Sequence, residues 1–229
     1  MKLLQRVFRK SRQEPEPSDI EYVPALSQVA IELIVSSLYR TLHPLITHRF
    51  HRHTVNSRTE AGRRRGLQRT QELASADSRF VWVRATLSDP YKHVDQELLL
   101  IALWNVFGNK KLYRLLEDCV RDSSRKGLVP TAPLCHLLKE FFIDWYVVRI
   151  WRLEHRRVPL IRDSNEILIL AKSPAEGEVF KNAFKKLLAS SQLPVCSPAG
   201  ITVHDLGSGE EATWLRRRIS RRGGKWIVK

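Results

Sequence analysis

Apolar positions recur with helical period along most of this chain and close up into continuous runs in only a few places. From Tyr22 to about His48, Val23, Leu26, Val29, Ala30, Leu33, Ile34, Leu38, Leu42 and Leu45 keep that period and predict a helix that Pro44 kinks or ends. The basic stretch that follows has helical character only in its later part, around Leu67 and Leu73. Phe80 to Leu87, FVWVRATL, is rich in β-branched and aromatic residues and is the clearest strand. Two helices come next, one carrying Leu98, Leu99, Ile101, Leu103 and Trp104, the other Leu112, Leu115, Leu116, Cys119 and Val120, with Gly108-Asn109 as the break. A further long helix carries Leu134, Leu137, Leu138, Phe141, Phe142, Trp145 and Val148.

Val158 to Ser173, VPLIRDSNEILILAKS, then predicts strand, turn and strand, with four polar residues, Asp163-Ser164-Asn165-Glu166, at the tip of the apolar run Ile167 to Leu170. Pro174 to Ser191 follows as a helix with Val179, Ala183, Phe184, Leu187 and Leu188 on one face. Ile201-Thr202-Val203 and Trp214-Leu215 are short strand candidates before a basic end, RRRISRRGGKWIVK. There is no internal repeat, and helices alternating with few, well-separated strands indicate an α+β domain. Residues 1–21 read as a basic tail or linker and 22–229 as the domain.

Composition agrees with a packed core: of 229 residues, 43% are hydrophobic and 28% charged. Charge adds more. Lys and Arg number 39 against 24 Asp and Glu, a formal net charge of +15, and the arginines cluster, which points to a polyanionic partner, RNA or DNA. A membrane partner is not expected: no apolar run approaches spanning length, and no basic amphipathic helix with exposed aromatics is evident. The N-terminus lacks a secretory apolar region, and Glu14 and Glu16 argue against an organellar presequence. Cys119, Cys135 and Cys196 are isolated and odd in number, which supports neither a zinc ribbon nor a disulfide framework and fits a reducing, cytoplasmic setting. His48, His51 and His53 have no cysteine or carboxylate beside them, while Arg49 and Arg52 would repel a cation, so no metal site is expected there.

In order along the chain, five segments resemble the fingers and palm of reverse transcriptases, RNA-directed DNA polymerases, of the bacterial group II intron, retron and phage-defence type. RATLSDPYKHVDQELLLIAL resembles motif A through Ala85, Leu87, Tyr91, Val94, Asp95, Leu98 and Leu99, with Thr86 where the first catalytic aspartate belongs and Tyr91 at the position that screens out a sugar 2′-hydroxyl. KGLVPTAPLCHLLKEFFIDWYVVRI resembles motif B through Gly127, Leu128, Leu137 and Leu138, with Thr131 in place of a glycine and Cys135 in place of the usual serine. RDSNEILILAKS resembles the YADD hairpin, with Asp163 for the tyrosine and Asn165 and Glu166 for the two aspartates. In LPVCSPAGITV, Gly200 or Ile201 stands where the family carries a lysine, and WLRRRIS resembles the primer grip. The resemblance implies a helix-rich fingers and palm with a small antiparallel palm sheet. No thumb is expected, because the chain stops just after the primer-grip-like segment.

Nucleotidyl transfer in this family implies two divalent ions about 3.5–4 Å apart, held by carboxylates. Thr86 and Asn165 offer only neutral oxygens, and Glu166 is one methylene longer than aspartate. Mg²⁺ prefers anionic oxygens in near-octahedral geometry, so polymerisation is not expected and no cofactor is assigned. The reading is then a catalytically degenerate reverse-transcriptase-like protein that binds RNA or DNA, or that scaffolds a partner polymerase or defence complex. The alternatives are an active or altered RNA-directed DNA polymerase that uses Mg²⁺ and Glu166, and an interaction module with no nucleic-acid role. Arg49, Arg52, Arg58, Arg63, Arg64, Arg65 and Arg69 lie where the family's fingers contact template and incoming phosphates. Arg216, Arg217, Arg218, Arg221 and Arg222 form a second basic patch, on a short strand or in a disordered tail.

Overall fold

A computed structural model of the chain describes residues 28–50, 54–55, 57–121, 126–128, 133–196 and 200–229. The tail assigned to residues 1–21, together with Arg52, His51, His53 and Thr131, lies outside them. In chain order the elements are α1 (Gln28–Thr47), β1 (Thr54–Val55), α2 (Glu60–Ala76), β2 (Val81–Thr86), α3 (Pro90–His93), α4 (Gln96–Phe107) and α5 (Lys110–Val120). They continue with α6 (Pro133–Ile143), a π-helical turn (Asp144–Val148), α7 (Arg149–Glu154), β3 (Leu160–Asp163), β4 (Glu166–Ala171), α8 (Pro174–Ser190) and β5 (Ile201–Asp205). β6 (Ala212–Trp214), β7 (Arg217–Arg222) and β8 (Lys225–Val228) end the chain.

Five strands form one sheet in the order β1-β3-β4-β2-β5, antiparallel except for the parallel β1–β3 pair, and β6-β7-β8 form a second, antiparallel sheet. The continuous apolar runs follow from the large sheet being covered on both faces. Val81, Val83, Ala85, Ile167, Ile169 and Ala171 point to the helical core, and Trp82, Ile161, Leu168 and Leu170 point to a second core shared with Ala74, Trp214, Leu215 and Ile219. Successive side chains on a strand face opposite ways, so a strand buried on both sides carries no polar alternation.

One expectation needs correcting and two are narrowed. Of kinking or ending its helix, Pro44 does not end it: the helix runs on to Thr47 with Pro44 inside. Leu33 and Leu45 of α1, Leu115 of α5 and Val179 of α8 are solvent-exposed, because the buried stripes pass instead through Leu38, Leu42 and Ile46, through Leu116 and Val120, and through Gly177, Phe180 and Phe184. The arginine-rich end is no tail: it is the hairpin β6–β7–β8, packed on α2 through Trp214, whose indole N–H donates to Thr70 Oγ1 at 3.2 Å. The N-terminal turns follow ordinary rules. Thr59, Asp95, Asn109 and Ser173 each cap a helix by accepting from a backbone N–H two or three residues on, which satisfies an otherwise orphaned donor.

Gly177 brings α8 down onto the sheet. A Cβ there would lie 2.9 Å from both Val203 Cγ1 and Val81 Cγ1, one on each of two neighbouring strands. A Gly177→Ala variant should therefore lose about 1–2 kcal/mol, the overpacking cost less the better helix propensity of alanine. Thermal melting checks this, and an unchanged or raised midpoint would show that α8 lifts freely.

Candidate functional site

Two hairpin ends and the C-terminus of β2 meet in one place. Thr86 pairs directly with Glu166 across the β2–β4 ladder, and the Leu87 N–H donates to the Asn165 carbonyl at 2.9 Å. Thr86, Asn165 and Glu166, the residues that the motif resemblance assigns to the polymerase site, therefore stand side by side. Asp163 and Glu166 face each other across a two-residue loop, with Ser164 at φ 51°. They border a cleft of about 640 Å³ whose other walls come from α1 (Tyr39, His43, Thr47), Phe50, Ser57, Arg58, α6 (His136, Leu137, Glu140), Leu215 and Arg216.

Beneath the cleft lies a buried charge cluster that interrupts the apolar runs LLKEFFI and LIRD. Lys139 is 1% exposed and Arg162 fully buried. Both converge on Glu140, Lys139 Nζ at 2.7 Å from Oε1 and Arg162 Nη1 at 2.7 Å from Oε2. Burial works against the Glu140 carboxylate, but Arg162 and Lys139 prevail and hold its pKa below the ordinary glutamate value. Lys139 Nζ also donates to Asn165 Oδ1 at 3.2 Å, which places an ammonium group at the hairpin tip. Two guanidinium nitrogens of Arg162, Nε and Nη2, are buried with no hydrogen-bond partner among the described residues.

The other carboxylates are also engaged. Asp163 accepts from the Ser57 N–H at 3.0 Å and from the Ser57 hydroxyl, which ties the hairpin to the loop between β1 and α2. Glu166 Oε1 lies 3.5 Å from Arg84 Nη2, and its Oε2 has no hydrogen-bond partner among the described residues. Asp89 sits in the left-handed region at φ 34° and pairs with Lys92, 3.0 Å away. Tyr91, which the motif resemblance assigns to sugar screening, is held by α6: its hydroxyl oxygen lies 2.7 Å from His136 Nδ1. Arg58 Nη2 lies 2.7 Å from His136 Nε2, and a guanidinium only donates, so Nε2 accepts and Nδ1–H donates to Tyr91. Burial, and then the charge of Lys139, push the His136 pKa below its ordinary value, in keeping with this neutral tautomer.

The arginines divide. Arg52 lies outside the described residues, and of the other six arginines assigned to the fingers Arg58 alone lines the cleft. Arg49 lies in an exposed turn after α1, and Arg64 and Arg65 are exposed on α2. Arg63 bonds Glu60 and the Ser57 carbonyl, and Arg69 pairs with Glu72. From the second patch, Arg216 enters the cleft, Arg217 pairs with Glu60 at 3.0 Å, and Arg221 stacks on Phe80 at 3.9 Å. Arg216 reaches the cleft from a two-residue turn between β6 and β7 in which both Leu215 (φ 51°) and Arg216 (φ 62°) are left-handed. Such turns favour Asn-Gly, and each side chain held there costs about 1–2 kcal/mol.

The residues do not fit the pair of divalent ions that polymerases hold at such a hairpin. Thr86 and Asn165 are neutral, Glu166 faces Arg84, and the Asn165 oxygen already accepts from an ammonium group. Among the described residues no three His, Cys, Asp or Glu side chains are grouped to hold a metal, and no helix is long and apolar enough to cross a membrane. Cys119, Cys135 and Cys196 form no disulfide among the described residues.

This architecture is a reverse-transcriptase-like fold. The chain is similar to telomerase, a reverse transcriptase, from Candida tropicalis in complex with a TWJ fragment of telomeric RNA, with TM-score 0.60 and 14% identity over 88% of this chain and 37% of that one. It is also similar to apo telomerase from Candida tropicalis truncated from the C-terminal domain (0.56, 11%, 88% and 45%) and to telomerase from Candida albicans with a TWJ fragment of telomeric RNA (0.56, 12%, 86% and 37%). The chain spans less than half the length of these telomerase chains. Its sequence matches no protein-family model and no curated protein.

Proposed function

We propose that this is a reverse-transcriptase-like protein whose palm has lost polymerase chemistry and that binds RNA or DNA along the cleft beside the Asp163–Glu166 hairpin. One observation carries the reading: Thr86, Asn165 and Glu166 come together as polymerase ligands do, yet supply a single carboxylate that faces Arg84. The basic surface supplies the binding term, since arginine's planar fork of donors suits phosphate oxygens. The telomerases solved with telomeric RNA support an RNA partner. The motif spacing supports descent from the bacterial group II intron, retron and phage-defence branch, with a partner polymerase or defence complex as the assembly it serves.

A filter-binding titration of RNA and DNA oligonucleotides across salt tests this. With about six phosphates neutralised, log affinity should fall against log salt with a slope of about −4 to −5. Affinity indifferent to salt would sink the nucleic-acid reading. A second reading, an altered RNA-directed DNA polymerase, is favoured by Glu166 Oε2, which has no hydrogen-bond partner among the described residues. Mg²⁺-dependent primer extension with wild type and Glu166→Ala decides it, and the expected result is no incorporation above background in either.

A further inference from the structure

Resting on the nucleic-acid reading above, we infer that protein cations take the place of divalent ions in this cleft. A phosphodiester seats directly on Arg58 and Arg216 with no bridging metal, and Lys139 is the fixed counter-charge of the hairpin.

The charge inventory leads there. Among the described residues, Lys139, Arg162, Arg84 and Arg216 surround the hairpin with Glu140, Asp163 and Glu166 to oppose them, and Arg58, held on His136 Nε2, adds its charge at the cleft wall. Each carboxylate is engaged: Glu140 with Lys139 and Arg162, Asp163 with Ser57, and Glu166 with Arg84. The excess is cationic, and part of it is buried, where salt screens it least. A divalent ion approaching Asn165 Oδ1 would meet the Lys139 ammonium, which is hydrogen-bonded to that oxygen and has no exposed route away. A phosphate oxygen meets the opposite field.

Arg216 supplies the second observation. Its backbone stays in the left-handed region with no glycine to relieve it, while Leu215 is buried beside Gly66, where an added Cβ would lie 2.7 Å from Leu215 Cδ1. Leu215 anchors the turn in the second core, so Arg216 is carried into the cleft on a fixed base. Backbone strain held by packing marks a position where side-chain direction matters.

The test uses the full chain in two arms. Mn²⁺ is titrated and followed by water-proton relaxation, and labelled RNA is titrated by anisotropy at constant ionic strength, in Mg²⁺ and in EDTA. Wild type should show no stoichiometric Mn²⁺ site, and its RNA affinity in EDTA should stay within about twofold of that in Mg²⁺. The double variant Lys139→Gln, Asn165→Asp should gain a Mn²⁺ site, and Arg216→Gln should weaken RNA binding roughly fivefold without lowering the melting temperature. A stoichiometric Mn²⁺ site in wild type, or RNA affinity that collapses in EDTA, overturns the inference and leaves the nucleic-acid reading standing. A folded double variant that still ignores Mn²⁺ removes Lys139 from its role. Absence of RNA binding at low salt in both buffers defeats the nucleic-acid reading itself. If the double variant does not fold, the wild-type arms decide alone.

Discussion

A Glu140→Gln variant should lose about 3–5 kcal/mol of stability, because it strands two buried cations without their shared anion. Lys139 and Arg162 are both within 1% of complete burial, and each lies 2.7 Å from a Glu140 oxygen. Neither can turn to water. The same carboxylate gives the wild type an acid dependence with a definite sign. Its folded pKa lies below the unfolded value, so its contribution is complete above the ordinary glutamate range and is lost as pH falls through the depressed folded value. Urea unfolding at neutral pH and in acid measures both effects: the variant should be weak at neutral pH and should lack this component of the acid loss. A variant within about 1 kcal/mol of wild type at neutral pH would show that the cluster is not a closed unit.

Trp214→Ala should cost a comparable 3–5 kcal/mol, roughly the range for removing a large buried aromatic. Trp214 is completely buried, joins β6 to the second core and donates to Thr70 on α2. It pairs with Arg217 immediately outside the strained turn, so a cavity there also frees Leu215 and Arg216. Trp214→Phe fills most of the volume and should recover most of the loss. Denaturant unfolding of both variants settles the packing question, and RNA anisotropy on the folded fraction reports whether Arg216 has moved.

Much of the architecture could be read from residue pattern. Strand β2, the hairpin β3–β4 and the helices α4, α5, α6 and α8 all fall where apolar spacing puts them, since each carries a stripe or run that only one element type can bury. Thr86, Asn165 and Glu166 were singled out one motif at a time, and the β2–β4 register sets them side by side. What pattern missed is non-local. β1 is two residues long and exists because Thr54 and Val55 pair in parallel with Arg162 and Asp163, far along the chain. The β6–β8 sheet hid in a run of arginines, where charge masked the short alternation around Ile219 and Ser220. Lys139, Glu140 and Arg162 were visible as charges inside apolar runs, but their convergence depends on α6 crossing the β3–β4 hairpin. The fingers arginines read as one surface, yet their neighbours divide them: Glu60 and Glu72 engage Arg63 and Arg69, and among the described ones only Arg58 faces the cleft.

The turn at Leu215 and Arg216 has a consequence for any attempt to stabilise the chain. Two adjacent left-handed positions would both be relaxed by Asn-Gly. The same exchange would take Leu215 out of the second core and the Arg216 guanidinium out of the cleft wall, so what the backbone gains is set against a lost apolar anchor and a lost cation.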